Sequence, residues 1–441
     1  MAVTRERKSA LGRWELLAIA LGGMVGGGIF SILGVSVANI GNLTPVAIAL
    51  GGVMALVAAY SYVQLAKLYH DEGATYSFFR RSFPDSRLAA SAVGWIVTFG
   101  YISTLALYAF TFGSYFTSLF EFDHPELAAK VAAGAVLALF ATVNLVSVRG
   151  MGSIEDVMVY TKLVLLALIS VVLMRAGSIT QLTPLAAPGV GVPMVLMTAA
   201  VTFVAFEGFQ LAIHATEETA NPDRDIPWAI YMSIAGATLI YVLMSIGALA
   251  ALPKQEIIAN KEFALAAGAE HAMGRAGSVL VVAGAVLATC SAISGTIFGA
   301  SRLLAVIAAD GYFPATLAKR RRGHIPTNAI LVMTATAFGL VALGGLEQIL
   351  EFGSITFIIA SLLIAWANLK MRKQTHTHGS IAAIAVIGLG ASAGAILYYQ
   401  WSRNPWALAV TLGLYFALTI GAAVFARRAG KRAHRRGRDT A

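Results

Sequence analysis

The sequence predicts an all-α integral membrane protein, and three observations lead to that prediction. Hydrophobic residues make up 58% of the 441 residues and charged residues only 12%, whereas a soluble domain carries roughly 25% charged residues. Apolar segments long enough to cross a bilayer recur along the whole chain. The basic residues are concentrated in alternate breaks between those segments, as the positive-inside rule requires of a multi-pass protein. Together these features exclude a large soluble domain.

Twelve apolar segments, numbered here as spans 1 to 12, have the roughly 17–25 residues that cross a bilayer. They lie at about 14–40, 44–69, 88–120, 127–148, 154–175, 195–216, 227–252, 278–308, 326–346, 349–370, 380–400 and 405–427. The expected organisation is a cytoplasmic segment 1–13, a core 14–370, two additional spans in 380–427 and a basic tail 428–441. Within the core, spans 1–5 occupy about 14–175 and spans 6–10 about 195–370.

The distribution of lysine and arginine predicts the orientation. If the N-terminus is cytoplasmic, 25 basic residues fall on the cytoplasmic side and six on the outer side, with Lys162 inside a span. This asymmetry predicts an even number of spans in the cytoplasmic (inner) membrane, with both termini cytoplasmic. We interpret the basic tail, Arg427–Arg438, as an orientation signal that contacts anionic lipid, and expect no nucleic-acid partner.

Span 1 contains five glycines in the seven positions Gly22–Gly28. Glycine costs roughly 1 kcal/mol against alanine inside a helix, so this cluster predicts an interruption of the helix rather than a packing face alone. Backbone groups freed by an interruption cannot face lipid, so they must line a cavity enclosed by protein or filled with water. The N–H groups at the start of the following half-helix, near Ile29, would then form an anion site suited to a carboxylate.

Span 6 carries a second predicted interruption. Glu207 and Gln210 are costly at membrane depth, and Gly208 weakens the helix between them. Interruptions in spans 1 and 6 are five spans apart, the spacing expected if spans 1–5 and 6–10 are inverted repeats. Paired interruptions of this kind indicate the binding site of a secondary transporter.

Lys162 is the third candidate. It lies eight residues into span 5, about 12 Å at 1.5 Å per residue, and Gly22 lies eight residues into span 1. Both spans run outward from the cytoplasm, so the two residues are predicted at the same depth. A buried lysine loses its proton readily when its surroundings change, which makes Lys162 a candidate coupling group. The alternative is a lysine that extends to the inner interface.

Three motifs resemble the amino acid–polyamine–organocation (APC) family of permeases. Gly26–Phe30 is similar to the family's Gly-Ser-Gly-Ile-Phe, with glycine in place of serine. Ala205–Phe209 leads into Glu217–Pro227, which resembles the loop Glu-Glu-x-x-Asn-Pro-x-Arg-x-Ile-Pro almost letter for letter. The stretch 301–314, followed by Ile325-Pro326, resembles the segment after span 8. The likeness covers about residues 14–370.

The resemblance implies a five-plus-five inverted-repeat fold with two added helices. It also implies that the substrate carboxylate meets backbone N–H groups at Gly26, Gly27 and Gly28. By the same resemblance, we expect a β-branched residue at Gly27 to abolish binding by filling the space offered to the substrate.

The resemblance assigns the other site residues as well. The α-amino group would meet carbonyls near Met24 and at Val204, Ala205 and Phe206, with Phe203 or Phe206 as the aromatic that closes the site from outside. In proton-coupled members a lysine in span 5 replaces a sodium ion, and Lys162 stands there. Glu207 takes a position that is apolar in many members; it is either a counter-ion for a dibasic substrate or bonded to a neighbouring helix beside a neutral substrate. Arg224, between Asp223 and Asp225, is interpreted as a cytoplasmic clasp.

The predicted function is therefore proton-coupled amino acid symport by alternating access, with no cofactor and no metal. The alternatives are a sodium-independent exchanger of amino acids or polyamines, and a non-transporting amino-acid sensor on the same scaffold. An enzyme is not expected, because the spans contain no His-x-x-x-His, Asp-rich or Gly-x-Ser-x-Gly element. The sequence leaves the oligomeric state open.

Overall fold

The computed structural model describes residues 11–71, 73–146, 151–186, 189–216, 219–321 and 325–439. These residues form α-helices and short 3₁₀ helices, with one isolated β-bridge between Leu11 and Thr219. The α-helices are α1 Arg13–Met24, α2 Gly28–Ile40, α3 Thr44–Tyr69, α4 Ala74–Ser82, α5 Arg87–Thr117, α6 Pro125–Val146, α7 Met151–Ala176, α8 Val192–Thr202, α9 Pro222–Ala251, α10 Lys254–Ala259, α11 Ala264–Met273, α12 Arg275–Ala309, α13 Thr327–Leu343, α14 Leu346–Lys370, α15 Gly379–Arg403 and α16 Pro405–Asp439.

The all-α, multi-span prediction is confirmed. Ten helical stretches of the described chain are long and apolar enough to cross a membrane. One of them, Gly28–Tyr69, contains both α2 and α3, which are joined by the 3₁₀ turn Gly41–Leu43. The helix Thr327–Leu343, in the place of span 9, is apolar but only 17 residues long. The count of twelve spans therefore remains a prediction.

Spans 1 and 6 are not continuous helices. Span 1 is divided into α1 and α2, and span 6 into α8 and two 3₁₀ segments, Phe203–Phe206 and Phe209–Ala215. Around them, α3 packs against α9 and α5 against α12. These pairs join span 2 to span 7 and span 3 to span 8, which is the arrangement that an inverted repeat would produce. The repeat itself stays a prediction.

Helix α9 begins where the resemblance places a helix start. Pro222 occupies its first turn, where a missing N–H costs nothing, and Asp223 and Asp225 favour the positive end of the helix. Asp223 does not pair with Arg224: its Oδ1 lies 2.9 Å from Nε2 of His70, at the end of α3. The clasp therefore joins span 2 to span 7. Glu217 and Glu218 of the same motif lie outside the described residues.

On the predicted cytoplasmic side, the short helix α4 is fixed to the end of α12 through Asp310. The Tyr76 hydroxyl donates to Oδ2 of Asp310 at 2.6 Å, and the Arg80 guanidinium contacts the same oxygen. Burial raises the pKa of Tyr76, and the neighbouring Asp310 raises it further, so this hydroxyl keeps its proton and acts as a donor. Asp310 therefore joins α4 to the end of span 8.

Helix α16 continues as one helix through Asp439, across the boundary expected for the basic tail at 428–441, and that boundary stays a prediction. A Cβ on Gly311, just after α12, would lie 3.5 Å from Cβ of Ala429. The predicted cytoplasmic end of α16 therefore sits beside the turn that follows span 8. The side chains beyond Ala429, including most of the predicted lipid-contacting residues, lie outside the described part of the chain, as does the segment 1–10.

Candidate functional site

The interruption of span 1 is fully buried. Helix α1 ends at Met24, the bend Val25–Gly27 belongs to neither helix, with Val25 at ψ 70°, and α2 begins at Gly28. The N–H of Gly26 donates to the carbonyl of Met24 at 2.9 Å, which closes a tight turn. The last carbonyls of α1 have no partner along the helix axis, so other groups must satisfy them.

Three side chains from three different helices satisfy these carbonyls. Nζ of Lys162, on α7, donates to the carbonyl of Gly22 at 2.7 Å. The Tyr108 hydroxyl, on α5, donates to the carbonyl of Gly23 at 3.0 Å. The Tyr241 hydroxyl, on α9, lies 2.8 Å from the carbonyl oxygen of Met24. The end of α1 is thus held from three directions.

The start of α2 has the opposite polarity. No hydrogen bond joins the N–H groups of Gly27, Gly28 or Ile29 to any acceptor among the described residues, while Ser31 N–H closes the first turn onto the carbonyl of Gly27 at 3.1 Å. Unpaired N–H groups at a buried helix start carry partial positive charge and suit an anion. This geometry supports the carboxylate site.

A Cβ on Gly27 or on Gly28 would meet protein atoms, a contact that the sequence does not show. A Cβ on Gly27 would lie 2.8 Å from Oγ1 of Thr111 and 3.2 Å from Cγ2 of Thr289. A Cβ on Gly28 would lie 2.9 Å from Cα of Ala205. The directions that side chains would take are filled by protein, so a substitution at Gly27 would disturb packing whether or not a ligand is present.

The interruption of span 6 packs directly against the interruption of span 1. Glu207 is extended, with φ −68° and ψ 139°, and Gly208 has φ +120°, a conformation that side chains disfavour. A Cβ on Gly208 would also lie 2.6 Å from the carbonyl carbon of Gly23. Gln210 supports the turn, because its Oε1 accepts the Gly208 N–H at 3.3 Å. Glycine at position 208 is therefore required by both conformation and contact.

Tyr241 joins the two interruptions, and no pattern in the sequence predicted this role. Its hydroxyl oxygen lies 2.8 Å from the carbonyl of Met24 and 3.1 Å from the carbonyl of Ala205, so its single proton is shared between them. These carbonyls were expected to receive an α-amino group. The carbonyl of Val204, also expected there, accepts the Glu207 N–H at 3.2 Å. The ring of Tyr241 packs against Phe206, with centroids 5.4 Å apart.

Lys162 lies at the depth predicted for it. Its side chain is fully buried, and besides Gly22 its Nζ contacts Oγ of Ser291, on α12, at 3.3 Å. The ammonium therefore connects spans 1, 5 and 8 rather than extending to the inner interface. Phe203 and Phe206 are also fully buried.

Glu207 is 3% exposed, and its Oε1 has no hydrogen-bond partner. Oε1 therefore makes no hydrogen bond to a neighbouring helix, which was one of the two roles expected for Glu207. Within the described chain, no group of three or more His, Cys, Asp and Glu side chains could hold a metal ion. The described features of the site are backbone groups, tyrosine hydroxyls and two ionisable side chains, Lys162 and Glu207.

Comparison with known proteins identifies the family. The model of the amino acid permease family matches residues 11–431. The chain is 26% identical to the inner membrane transport protein YbaT of Escherichia coli, over 95% of this chain and 96% of the relative. It is 25% identical to the branched-chain amino acid permease BcaP of Bacillus subtilis, over 83% and 82%. It is 27% identical to the large neutral amino acids transporter small subunit 2 of Rattus norvegicus, over 81% and 70%. With the interrupted spans and these matches, the chain belongs to the amino acid permease family, within the APC permeases, and is a multi-pass amino acid transport protein rather than an enzyme.

Proposed function

We propose that this protein is a secondary active transporter that carries amino acids across the cytoplasmic membrane by alternating access, coupled to protons. The observation that carries the proposal is the pairing of opposite polarities where the interruptions meet. Unpaired N–H groups at Gly27 and Gly28 lie beside carbonyls at Met24 and Ala205. A zwitterion with adjacent carboxylate and ammonium groups complements that arrangement.

The carboxylate binds at the start of α2. Gly27 and Gly28 supply the principal N–H donors, because the N–H of Gly26 already donates to Met24. The ammonium binds the carbonyls of Met24 and of the segment Val204–Phe206. At Ala205 it takes the second lone pair of the carbonyl oxygen beside the Tyr241 hydroxyl. At Met24, where the Gly26 N–H and the Tyr241 hydroxyl already use both lone pairs, it replaces the Tyr241 hydroxyl. Phe203 and Phe206 close the site on its outer side.

We assign neutral amino acids as the substrate class. Two relatives are named for branched-chain and for large neutral amino acids. The described residues that contact the two interruptions through side-chain hydrogen bonds include tyrosines, one lysine and Gln210, and no second carboxylate is among these contacts. A second positive charge on the substrate would meet only Glu207. Neutral substrates leave that carboxyl without a cation, a consequence developed in the next section.

Lys162 supplies the coupling in this proposal. Its ammonium stands between spans 1, 5 and 8, where a second cation would be repelled. Release of its proton would weaken the hold on the carbonyl of Gly22 and so favour movement of α1 relative to α7 and α12. Both termini are assigned to the cytoplasm.

The test is counterflow and gradient-driven uptake by purified protein in liposomes, screened with radiolabelled amino acids and polyamines. We expect leucine-like neutral amino acids to exchange, and an inward proton gradient to drive their accumulation without sodium. Exchange that ignores the proton gradient would identify the sodium-independent exchanger. Binding without flux would identify the sensor, and uptake of polyamines alone would refute the substrate class.

A further inference from the structure

Glu207 is a buried carboxyl whose environment is built from tyrosines. The hydroxyls of Tyr62, on α3, and of Tyr101 and Tyr108, on α5, lie within electrostatic range of its carboxyl group. Tyr62 and Tyr101 are themselves 2% and 5% exposed. The Tyr108 hydroxyl donates its hydrogen bond to the carbonyl of Gly23. Oε1 of Glu207 accepts no hydrogen bond. The carboxyl is thus enclosed by groups that carry no charge.

An ionised carboxylate is costly in such a place. A buried charge without a partner costs several kcal/mol unless it is paired, bound to a cation or protonated. The ion pairs found among the described residues are His70–Asp223, Arg80–Asp310, Arg81–Asp71 and Lys261–Glu347, and Glu207 takes part in none of them. Three partners therefore remain for the oxygen: a cationic substrate, a metal ion or a proton.

A proton fits best. Among the described residues, Glu207 belongs to no group of three or more His, Cys, Asp and Glu side chains that could hold a metal ion. The proposed substrate is neutral, and its ammonium has the carbonyls of the interruptions. The inference rests on the proposed function only in taking the substrate to be a neutral amino acid.

We propose that Glu207 is a second proton-binding site of the transporter, separate from Lys162. Lys162, on α7, contacts the carbonyl of Gly22 in span 1 and Ser291 on α12. The tyrosines near Glu207 belong instead to α3 and α5. The carboxylate takes up one proton from water as the site closes and returns it to water on the other side. Neutral Glu207 donates a hydrogen bond through its carboxyl O–H, and no other bond is made or broken.

The Tyr62 hydroxyl lies between the neighbourhood of Glu207 and α4, on the predicted cytoplasmic side. The Tyr62 hydroxyl lies 3.0 Å from Oγ1 of Thr75, which belongs to the short helix α4 and is 3% exposed. The titratable groups around Glu207 are Tyr62 from α3, Tyr101 and Tyr108 from α5, and, at the same interruptions, Tyr241 from α9 with Lys162 from α7. Tyr62 is the one whose hydroxyl leads toward α4.

The first test observes the proton directly. The C=O stretching band of a protonated carboxylic acid is recorded by infrared difference spectroscopy on the full-length protein in liposomes, across a pH titration. We expect Glu207→Gln to lose a band that the wild type shows. Glu351→Gln is the matched control, because Glu351 is also largely buried but its carboxylate accepts Nε2 of Gln400 at 2.7 Å. An unchanged band in Glu207→Gln would overturn the proposal.

The second test measures coupling. Leucine-induced proton flux is read with a dye trapped in the liposomes, and leucine flux with radiolabel, so each variant gives a ratio of protons to substrate. We expect Glu207→Gln to lower that ratio by about half, because the proton carried by Lys162 remains, and Glu207→Asp to restore part of it. Tyr62→Phe should slow proton exchange. Its control is Tyr69→Phe, which removes a similar hydroxyl contact, to Ser82 at 3.1 Å, elsewhere on α3.

The outcomes separate the two proposals. A wild-type ratio in Glu207→Gln would overturn the second proton site while neutral amino acid transport stands. Loss of binding confined to dibasic substrates would make Glu207 a counter-ion and also overturn it. If the wild type moves no amino acid, the proposed function fails, and the infrared band still decides whether Glu207 carries a proton.

Discussion

Replacing Lys162 with alanine tests whether this residue couples transport to protons. The substitution removes a buried ammonium that donates to the carbonyl of Gly22 at 2.7 Å and to Oγ of Ser291 at 3.3 Å. Lys130→Ala is the matched control. Its Nζ also donates to a backbone carbonyl of another helix, Ala342 at 3.1 Å, but it lies on α6, away from both interruptions.

The expected magnitudes follow from these contacts and from the gradient. Each hydrogen bond to a charged group contributes roughly 1.5–3 kcal/mol, so Lys162→Ala loosens α7 from α1 and α12 by up to about 3–6 kcal/mol before the desolvation of the ammonium is subtracted. For one proton per substrate, an inward gradient of two pH units supports about 100-fold accumulation, since 1.4 kcal/mol corresponds to a factor of ten. If the Lys162 proton no longer moves with the substrate, this factor of about 100 is lost.

The assay compares gradient-driven accumulation with counterflow at equal pH, in sodium-free liposomes. We expect Lys162→Ala to lose accumulation while part of its exchange survives, and Lys130→Ala to accumulate like the wild type. If Lys162→Ala still concentrates substrate along a proton gradient, or if wild-type uptake requires sodium, Lys162 has a structural role and the coupling argument is wrong.

Three further predictions concern topology, packing and the bridge between the interruptions. A reporter fused after Arg427 should be active only in the cytoplasm; an external signal would contradict the basic asymmetry. Gly27→Ala places its Cβ 2.8 Å from a threonine hydroxyl and should lower the melting temperature by an amount equivalent to roughly 1–3 kcal/mol, whereas Gly339→Ala meets nothing within 4 Å; equal melting temperatures would refute the packing argument. Tyr241→Phe should lower the melting temperature by an amount equivalent to about 1–3 kcal/mol, because two buried carbonyls lose a donor, while Tyr231→Phe on the same helix should melt like the wild type; an unchanged melting temperature in Tyr241→Phe would show that the bridge is dispensable.

The interruptions were predictable because their causes are local. Five glycines in Gly22–Gly28, and a glutamate beside Gly208 in an apolar span, each carry a cost that can be read along the chain. The depth of Lys162 followed from counting residues at a fixed rise. The packing around Gly27 was not predictable, because the sequence does not show which neighbour a Cβ would meet.

What the sequence by itself determined is the membrane class, the places where spans 1 and 6 break and the permease family. These depend on composition, on helix cost and on motifs contiguous in the chain. Only the tertiary structure decided which groups meet at the breaks. Tyr241 is 217 residues from Met24, and Tyr108 is 85 from Gly23. A hydroxyl that satisfies a carbonyl across such a separation leaves no periodic signal, because its partner is chosen by the packing of α5 and α9 against α1 and not by any neighbour in sequence.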